Sequence, residues 1–558
     1  MTEVDKLWYK SWPKGIKKVI EIPNTTVHGI FEEIALKKDV KDITYMSLLG
    51  IDYSYSKVNE MADRFASALI ELGVKKGDHI GILMPNLHQF SISFFGILKA
   101  GAITVPLSPL YGPSDLKAVL QKVDLKGIVA LDILYEKIEE TEVKIPLVIT
   151  TALGDILSPI MRFVAKLIGK LPKSPKILGN LELYELINTH EPLKEKISVE
   201  PEDVASIGST GGTTGVPKAA MLTHRNLVAN MMWLKEWPKM VHPEGTHKKY
   251  IGLVPFFHII GLVGVMLSSI VLESTVYLVP DPRKFEDILK LLSKEKIHYM
   301  HGVPTLYRAL LRHPKFDKYD LSSLDLVFSG AAPLPAVLAE EFESKINGLV
   351  MEAYGLTETA PIVSSNPFEK DNRKTGSIGI PFIGTDVEIR NPETDAVMPQ
   401  GEIGEICVKG PQIMKGYYKD PEATAQVIKN GWFYTGDLGY FDEDGFLFLV
   451  NRIKDMINAS GYKVYPREIE ELIYNDFPQI SEAIVIASPD EYRGETVKLI
   501  VVLKDGEKLT KKEITSHLES KIAAYKVPKK IEFMDSLPKS GLGKPDRKAL
   551  RERESMGL

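Results

Sequence analysis

The sequence predicts an α/β protein: a large N-terminal body of several subdomains with mainly parallel sheets, followed by a small mobile C-terminal α+β domain. Three observations predict this fold class. Strand and amphipathic-helix patterns alternate through most of the chain, the pattern changes after about residue 452, and the composition supports a large core. With 558 residues, 44% of them hydrophobic and 26% charged, the chain has enough length for about three to four domain-sized units.

In the body, helices and strands are inferred from the spacing of apolar residues. Tyr55–Leu72 carries apolar residues at helical spacing, and Gly73 is placed to end that helix. The strand–helix–strand order that follows predicts a parallel sheet with right-handed crossovers. The predicted strands are His79–Met84, Ala102–Leu107, Ile251–Val254, His298–Val303 and Leu324–Ser329, and the predicted helices are Gln89–Ala100, Glu286–Ser293 and Leu338–Lys345.

The C-terminal part has a different pattern. We predict that residues 1–451 form the body and that residues 452–558 form a second domain, because the turn-rich Asp442–Gly445 and the charged Asn451–Asp455 separate them. A charged junction between two unequal parts indicates a large body with a mobile lid. The predicted helices of the lid are Glu468–Tyr474 and Lys511–Tyr525, and its predicted strands are Glu482–Ile486, Val497–Leu503 and Ile531–Met534.

Composition and charge narrow the classes of function. The net charge of −5 offers no argument for nucleic acid as a partner. The single cysteine, Cys407, leaves no intrachain disulfide and is compatible with a reducing compartment. The first residues lack an apolar signal core, and the longest uncharged apolar run, Ile259–Leu272, has 14 residues, which is short for a membrane span and typical of a buried helix. We therefore expect a cytoplasmic protein.

One insertion, Leu157–Leu171, has the pattern of an amphipathic helix. Arg162, Lys166 and Lys170 are four residues apart and form a basic stripe, and apolar residues cover the rest of the surface. Such a helix suits peripheral contact with an anionic membrane. The alternative, which the sequence favours, is a helix that packs on the body with solvated basic residues.

The glycine-rich stretch "GSTGGTTGVPKAAMLTH" at 208–224 predicts a phosphate-binding loop. Glycines allow close approach of the backbone to a ligand, and hydroxyl and backbone N–H groups can hold phosphate oxygens next to the Lys218 ammonium. The P-loop NTPase pattern is not met, because Val216 and Pro217 follow Gly215. The alternative is a flexible surface loop, which is disfavoured because the mostly apolar Ala219–Leu222 follows at once.

Three further motifs each admit a functional and a structural interpretation. The first is "PFFHIIG", in which His258 lies between aromatic residues and an apolar helix. His258 is a candidate site residue, and the alternative is a core histidine that is hydrogen-bonded to the backbone. The second is "YGLTET", where Glu358 is a candidate ligand of a hard cation such as Mg²⁺ or a helix-start residue. The third is "WFYTGDLGYFDEDGF", where Asp437 in a Thr-Gly-Asp turn can accept hydrogen bonds from a ribose or is an ordinary turn residue.

Two more motifs lie in the C-terminal part. The charged junction reads "NRIKDMINASGYKVYPREIE" from Asn451 to Glu470. The last motif, "PKSGLGKPDR", places Lys544 between Gly543 and Pro545 on a loop without an apolar anchor. Taken alone, Lys544 is a solvated lysine.

The order of these six motifs resembles that of the adenylate-forming superfamily, which includes acyl-CoA synthetases, luciferases and peptide-synthetase adenylation domains. The resemblance covers nearly the whole chain. Within the superfamily it looks closest to long- or medium-chain fatty-acyl-CoA synthetases, because of "TGGTTGVPKAAMLTHRN", the early "LWYKSWP" and the basic insertion before the phosphate loop.

The resemblance implies a ligase that uses a fatty acid, ATP, coenzyme A and Mg²⁺. A carboxylate attacks the α-phosphate of ATP to give acyl-AMP and pyrophosphate, and coenzyme A then displaces AMP. Alternatives within the superfamily are a ligase for an aryl or short-chain acid and an acyl-AMP ligase that loads a carrier protein. A remote alternative is a non-catalytic lipid or nucleotide binder. The implied assembly is a monomer or homodimer.

The resemblance also implies a role for individual residues. The implied nucleotide-binding residues are Ser209, Thr210, Gly211, Gly212, Thr213, Thr214, Gly215, Lys218, Gly330, Ala331, Ala332, Glu352, Ala353, Tyr354, Gly355, Thr357, Asp437 and Arg452. The implied catalytic residues are Lys544, His258, Thr357 and Glu358, and the implied Mg²⁺ ligands are Glu358 and Thr210. The remaining implied residues are Lys454 at the hinge, Ser460, Gly461, Tyr462 and Lys463 on the coenzyme A side, and His258, Gly261 and Gly264 at the acyl pocket.

Overall fold

The computed structural model describes residues 6–167, 171–172, 177, 180–210, 218–243, 245–332, 334–459, 462–490, 494–539 and 545–556. The strands are β1 (Thr44–Leu48), β2 (Ile51–Ser54), β3 (His79–Leu83), β4 (Ile103–Leu107), β5 (Leu125–Leu131), β6 (Leu147–Thr151), β7 (Leu181–Glu182), β8 (Val204–Thr210), β9 (Lys218–Thr223), β10 (Lys249–Gly252), β11 (Thr275–Leu278), β12 (Tyr299–Gly302), β13 (Leu326–Ser329), β14 (Leu349–Gly355), β15 (Ile362–Ser365), β16 (Ile380–Pro381), β17 (Asp386–Arg390), β18 (Gly404–Lys409), β19 (Gly416–Tyr417), β20 (Ile428–Lys429), β21 (Trp432–Phe441), β22 (Leu447–Arg452), β23 (Ile457–Ala459), β24 (Tyr462–Val464), β25 (Ile480–Asp490), β26 (Gly494–Leu503) and β27 (Lys530–Phe533).

Helices connect and cover these strands. The α-helices are α1 (Val27–Leu36), α2 (Tyr55–Glu71), α3 (His88–Lys99), α4 (Pro113–Lys122), α5 (Tyr135–Glu139), α6 (Pro159–Leu167), α7 (Leu183–Thr189), α8 (His224–Glu236), α9 (Ile259–Gly261), α10 (Ser268–Val271), α11 (Phe285–Glu295), α12 (Pro304–Leu311), α13 (Ala336–Glu343), α14 (Pro421–Val427), α15 (Pro466–Asp476), α16 (Lys511–Lys521) and α17 (Arg547–Ser555). Short 3₁₀ segments are Leu7–Ser11, Asp132–Leu134, Leu153–Ile156, Trp237–Met240, Phe316–Lys318, Thr357–Thr359, Lys370–Asn372 and Ile453–Asp455.

The strands of the described residues form four sheets. The first has the order β16-β15-β14-β13-β12-β10-β11-β1-β2 and is parallel from β14 to β1. The second has the order β19-β9-β8-β4-β3-β5-β6-β7 and is parallel from β8 to β7. The third, β17-β18-β21-β20 with β22 on β21, is antiparallel, and the fourth, β24-β23-β26-β25 with β27 on β26, is mixed. The predicted α/β fold class is confirmed.

Local sequence explains several element boundaries. Helix α2 starts after Ser54, whose side chain accepts a hydrogen bond from the Lys57 N–H, and the chain leaves the helix through Gly73 at φ +82°. The apolar run predicted as a buried helix is helical from Ile259 to Val271: α9, a π-helical segment over Leu262–Leu267, and α10 follow one another. The predicted helix Lys511–Tyr525 is shorter in the structure and ends at Lys521.

The third sheet differs from the sequence-based expectation. Asp437 was expected in a turn, but it lies within the strand β21. The preceding Gly436 has φ +73°, a left-handed conformation that interrupts the regular alternation of side chains and resembles a turn in the sequence. Strand β22 pairs with β21 and places Arg452 directly opposite Asp437.

The fourth sheet has its own hydrophobic core. The buried members of the main cluster beneath it run from Ile457 to Ile531 and come from β23 to β27 and from helices α15 and α16. A smaller cluster on the other face of this sheet contains Ile484, Ile500 and Leu550. Helix α17 therefore packs on the face opposite α15.

Candidate active site

A cavity of about 1810 Å³ lies at the carboxyl ends of β12, β13 and β14 and extends toward the C-terminal part of the chain. This is the edge at which open α/β sheets bind ligands. The predicted site residues that line it are Ser209, Thr210, Lys218, His258, Gly264, Gly330, Ala331, Ala332, Glu352, Ala353, Tyr354, Gly355, Thr357, Glu358, Asp437, Arg452 and Lys454. Residues from five of the six motifs thus meet in one cavity, and Lys539 and Pro545 of the sixth motif line it as well.

Other predicted residues lie elsewhere. Tyr462 and Lys463 are on β24, away from the cavity lining, where the Tyr462 ring stacks on Tyr525 and Lys463 lies 3.5 Å from Glu393. Eight predicted residues fall outside the described residues: Gly211, Gly212, Thr213, Thr214, Gly215, Ser460, Gly461 and Lys544.

Gly261 was expected at the wall of the acyl pocket, but it faces the backbone instead. A Cβ atom on Gly261 would lie 2.1 Å from the Pro255 carbonyl oxygen, so the glycine allows α9 to pass directly over that segment. Gly264, one turn further along, does line the cavity, and there a Cβ would make ordinary contact with His301 at 3.4 Å. The aromatic side chains of Trp237, Phe328 and Phe382 line the same end of the cavity.

The two ends of the glycine-rich stretch enter the cavity side by side. Strands β8 and β9 are antiparallel, and Thr210 at the end of one lies opposite Lys218 at the start of the other. Tyr111 donates a hydrogen bond to the Ser209 hydroxyl over 3.2 Å. The Lys218 ammonium lies 4.7 Å from the centre of the Tyr417 ring. Hydroxyls and a positive charge therefore face the cavity at the end of this hairpin.

Glu358 lies in the short turn Thr357–Thr359 and is buried, with 8% of its surface exposed. Burial raises the pKa of its carboxyl group, and the hydrogen bond that the Tyr417 hydroxyl donates to Oε1 over 2.8 Å opposes this shift. The Met414 N–H donates to the Glu358 carbonyl over 2.8 Å and fixes the turn. Across from it, Gly208 leaves room for Thr357, because a Cβ there would lie 2.7 Å from Thr357 Cγ2.

Asp437 is held by two neighbours. The Tyr354 hydroxyl donates to Asp437 Oδ2 over 2.6 Å, and Arg452 Nε lies 2.9 Å from Oδ1. The Arg452 N–H is not directed at Oδ1, which accepts no hydrogen bond from the described residues, so we treat this contact as an ion pair only. The negative charge of Asp437 raises the pKa of Arg452. One carboxylate oxygen is thus fixed by a phenol, and the other can accept a hydroxyl of a ligand.

The segment expected at the adenine has an unusual backbone and a buried carboxylate. Ala331 has φ +68°, a strained conformation for a residue with a Cβ. Glu352 accepts a hydrogen bond from the Leu334 N–H over 3.3 Å. Burial raises the pKa of Glu352 to about 7, and the positive charge of Arg467 on α15 opposes that shift.

The C-terminal part reaches the cavity at several points. Lys539 and Pro545, which flank the segment containing Lys544, pair with each other and both line the cavity. Burial and the charge of Arg452 lower the pKa of Lys454 to about 8. Arg551 on α17 donates to the Lys454 carbonyl over 3.0 Å. From the body, the Arg308 guanidinium donates to the Ser481 carbonyl and lies 5.2 Å from the Tyr474 ring centre.

Sequence reasoning missed Tyr417, Tyr111 and Arg467. Each contacts or faces a predicted residue, and each lies far from its partner in the chain: Tyr417 and Glu358 are separated by 59 positions, and Tyr111 and Ser209 by 98. Tyr417 lies on a strand of two residues, which is too short to produce a periodic pattern. No local signal in the sequence distinguishes it from other tyrosines.

The part of the chain that the structure describes holds no metal site made of protein side chains alone. Within the described ranges, no group of three or more His, Cys, Asp or Glu side chains could hold a metal ion. The carboxylate of Glu358 is nevertheless available in the cavity, and one carboxylate with substrate phosphates is a common way to bind Mg²⁺.

Comparisons with known proteins agree with this geometry. Residues 32–418 match the family described as AMP-binding enzyme, and residues 468–544 match the AMP-binding enzyme C-terminal domain. The chain is 38% identical to the long-chain-fatty-acid–CoA ligase of Bacillus subtilis (strain 168), over 99% of this chain and 98% of that protein.

Two solved structures match almost completely. One is the anthranilate CoA ligase AuaEII in complex with anthranoyl-AMP, with a TM-score of 0.84, 25% identity, and coverage of 97% of this chain and 99% of that one. The other is ATP-bound MatB from Rhodopseudomonas palustris, with a TM-score of 0.83, 29% identity, and coverage of 96% and 100%. The chain therefore belongs to the AMP-binding enzyme family.

Proposed function

We propose that this protein is an AMP-forming fatty-acid:CoA ligase. In the first half-reaction, a carboxylate oxygen of the fatty acid attacks the α-phosphorus of ATP, and the bond to pyrophosphate breaks. In the second, the sulfur of coenzyme A attacks the acyl carbon, AMP leaves, and the thiol proton passes to solvent. The observation that carries the proposal is the single cavity in which Lys218, Glu358, Asp437 and Arg452 face the ends of the Lys544 segment. Long-chain ligases related over the whole chain support the choice of acid.

Different residues of the cavity would bind the phosphates, the adenine and the ribose of ATP. Thr210 and Lys218 would contact the β- and γ-phosphates, and Thr357 the α-phosphate. The segments Gly330–Ala332 and Glu352–Gly355 would line the adenine. The free Asp437 Oδ1 and the Arg452 side chain would hold the ribose hydroxyls. Attack of one anion on another requires alignment and neutralisation of charge, which fixed cations and hydrogen-bond donors supply.

We assign Glu358 and Thr210 to Mg²⁺. Tyr417 holds one oxygen of the buried Glu358 carboxylate and leaves the other for a metal ion. The Thr210 hydroxyl lines the same cavity. These oxygen ligands suit Mg²⁺, which binds through one or two protein oxygens together with substrate phosphates. When bound, Mg²⁺ neutralises charge on the phosphate oxygens. The protein's part is to orient the Glu358 carboxylate in the cavity wall through the hydrogen bond from Tyr417.

The apolar end of the cavity suits a fatty acyl chain. His258 and the aromatic residues beside it offer few hydrogen-bond partners, so a charged group there would lose hydration without compensation. A panel of fatty acids of rising length, with aryl acids alongside, tests this proposal in the presence of ATP, Mg²⁺ and coenzyme A. Pyrophosphate release with the aryl acids and not with the fatty acids would overturn the choice of acid.

We propose that residues 452–558 rotate between the two half-reactions, with Lys454 at the hinge. Support comes from the separate core beneath the fourth sheet and from the position of Tyr462 and Lys463 away from the cavity lining, so that a rotation would be needed to bring these two residues to the cavity. Hinges absorb such changes in a few residues at a domain boundary.

Lys544 would serve only the first half-reaction. We expect Lys544→Ala to abolish acyl-AMP formation, measured as pyrophosphate release, and to spare thioester formation from supplied acyl-AMP. Lys529→Ala, at an exposed lysine that does not line the cavity, serves as a control for loss of a lysine in this part of the chain. Equal loss of both half-reactions in Lys544→Ala would refute the division of labour.

We also propose a peripheral contact of helix α6 with an anionic membrane. Its apolar side chains do not pack on the body: Ile160, Phe163 and Leu167 are 78%, 64% and 70% exposed. Arg162 lies 3.1 Å from Asp155, while the side chain of Lys166 and the residue Lys170 lie outside the described part. In the described residues, no helix has the length and apolar character needed to cross a bilayer. A cytoplasmic location and a monomeric or homodimeric state stay predictions.

Co-sedimentation with anionic vesicles tests the α6 contact. We expect Phe163→Ser to reduce the bound fraction several-fold, because burial of an exposed aromatic side chain drives interfacial binding. The control is Leu49→Ser, which removes another exposed apolar side chain elsewhere on the protein. Replacement of Arg162, Lys166 and Lys170 by Gln measures the contribution of charge. Equal binding by the Phe163→Ser and Leu49→Ser variants would exclude α6 as the contact.

A further inference from the structure

Tyr417 lies between the two charged residues on which phosphate and metal binding depend. Strand β19 pairs antiparallel with β9, so that Tyr417 is opposite Ala220. The pairing is extended on both sides, because the Lys415 N–H donates to the Met221 carbonyl over 2.9 Å and the Tyr418 N–H donates to the Ala219 carbonyl over 2.8 Å. Backbone hydrogen bonds therefore fix Tyr417 next to the strand that begins with Lys218.

The Tyr417 side chain contacts Glu358 through its hydroxyl and Lys218 through its ring. Its hydroxyl donates to Glu358 Oε1 over 2.8 Å, and its ring lies 4.7 Å from the Lys218 ammonium. Tyr417 is buried, with 6% of its surface exposed. The ion pairs found among the described residues include none between Lys218 and Glu358. The tyrosine thus keeps two opposite charges close without direct pairing.

We propose that Tyr417 is a positioning residue for both charged side chains. Its hydroxyl orients the Glu358 carboxylate toward the metal, and its ring holds the Lys218 ammonium in position for the phosphates. The inference rests on the proposed function, in which Glu358 binds Mg²⁺ and Lys218 binds ATP. A direct Lys218–Glu358 ion pair would have to be broken whenever metal and nucleotide bind. The aromatic spacer removes that competition, since an ammonium is attracted to the ring face without giving up its donors to a carboxylate.

Two substitutions separate the two roles. Tyr417→Phe keeps the ring and loses the hydroxyl, whereas Tyr417→Leu loses both. Mn²⁺ replaces Mg²⁺ as the probe, and its affinity for the enzyme–ATP complex is measured by electron paramagnetic resonance. Affinity for ATP without metal is measured by calorimetry in the presence of a chelator. Both measurements report binding and do not depend on turnover.

We expect Tyr417→Phe to lower Mn²⁺ affinity about tenfold, which is the effect of losing one hydrogen bond to a charged group, and to leave metal-free ATP affinity within about twofold. Tyr417→Leu should lower both, the second by about threefold to tenfold, because the cation–π contact is lost as well. The control is Tyr55→Phe, which removes a buried hydroxyl that donates to the Ser274 carbonyl over 2.8 Å, away from the cavity. If Tyr417→Leu does not fold, Tyr417→Met takes its place.

Each outcome decides the matter. Unchanged Mn²⁺ affinity in Tyr417→Phe overturns the role of the hydroxyl, provided that Glu358→Gln lowers that affinity. If Glu358→Gln also leaves Mn²⁺ affinity unchanged, the failure lies in the proposed metal site, and the inference falls with it. Equal metal-free ATP affinity in the Phe and Leu variants overturns the role of the ring.

Discussion

Removal of the Tyr354 hydroxyl is the sharpest test of how the ribose is held. Tyr354 is the next-to-last residue of strand β14, and its hydroxyl donates to Asp437 Oδ2 over 2.6 Å. Both residues are buried, with 9% and 1% of their surfaces exposed. In Tyr354→Phe, Oδ2 loses its donor while Oδ1 keeps its ion pair with Arg452. The carboxylate is then free to turn, and the oxygen that we assign to the ribose is no longer fixed.

The magnitude follows from the type of bond. A hydrogen bond to a charged group contributes about 1.5–3 kcal/mol, so the free energy of unfolding should fall by about that amount. In the proposed complex, AMP binding depends on the orientation of the same carboxylate. Since about 1.4 kcal/mol corresponds to a factor of ten, AMP affinity should fall about tenfold or more.

The assay compares AMP affinity by calorimetry with the free energy of unfolding by denaturant. The control is Tyr45→Phe, which removes a buried hydroxyl that donates to the neutral Met266 carbonyl over 3.0 Å, away from the cavity. It should lose about 0.5–1.5 kcal/mol of stability and keep its AMP affinity. Wild-type AMP affinity in Tyr354→Phe, together with reduced stability, would refute the assignment of Asp437 to the ribose.

Two further perturbations test the packing and the electrostatics of the site. Gly261→Ala should destabilise the protein by about 1–3 kcal/mol, because its Cβ would lie 2.1 Å from the Pro255 carbonyl oxygen. Gly264→Ala should fold normally, and it should shorten the longest acid that the enzyme accepts. Equal stability of the two variants in denaturant would contradict this packing argument. The folded-state pKa of Glu352 is about 7, above its usual 4.5, so the folded state binds this proton more tightly and is favoured at low pH. Between pH 4.5 and 7, the free energy of unfolding of the wild type should fall by about 3 kcal/mol relative to that of Glu352→Gln. A difference between the two proteins that does not change with pH would contradict the raised pKa of Glu352.

The sequence predicted the elements whose patterns are local. The alternation of strands and helices in the first two sheets and the buried helix after His258 follow from hydrophobic spacing alone. The strand that carries Asp437 was mistaken for a turn, because Gly436 breaks its alternation. The contact of Gly261 with Pro255 depends on how two segments cross, which periodicity does not encode.

The candidate site was predicted by resemblance more than by physics. Each motif admitted a structural alternative, and only the cavity brings their residues together. Tyr417 could not be predicted, because its two-residue strand and its contact with Glu358 depend on pairing with β9, about 200 positions earlier in the chain. Contacts of this kind are set by the tertiary fold.

The order of residues at the end of β22 has a consequence for the fate of the acyl adenylate. Arg452 ends the strand that faces Asp437, and the turn with Lys454 begins at the next residue. A rotation displaces atoms in proportion to their distance from its axis, so in the proposed rotation the ribose contacts of Asp437 and Arg452, next to this turn, would move little. The reactive anhydride could then stay tethered by its AMP half throughout the cycle. Such a tether would keep the intermediate from dissociating before coenzyme A reacts with it, and AMP, held by the same contacts, would leave after the thioester.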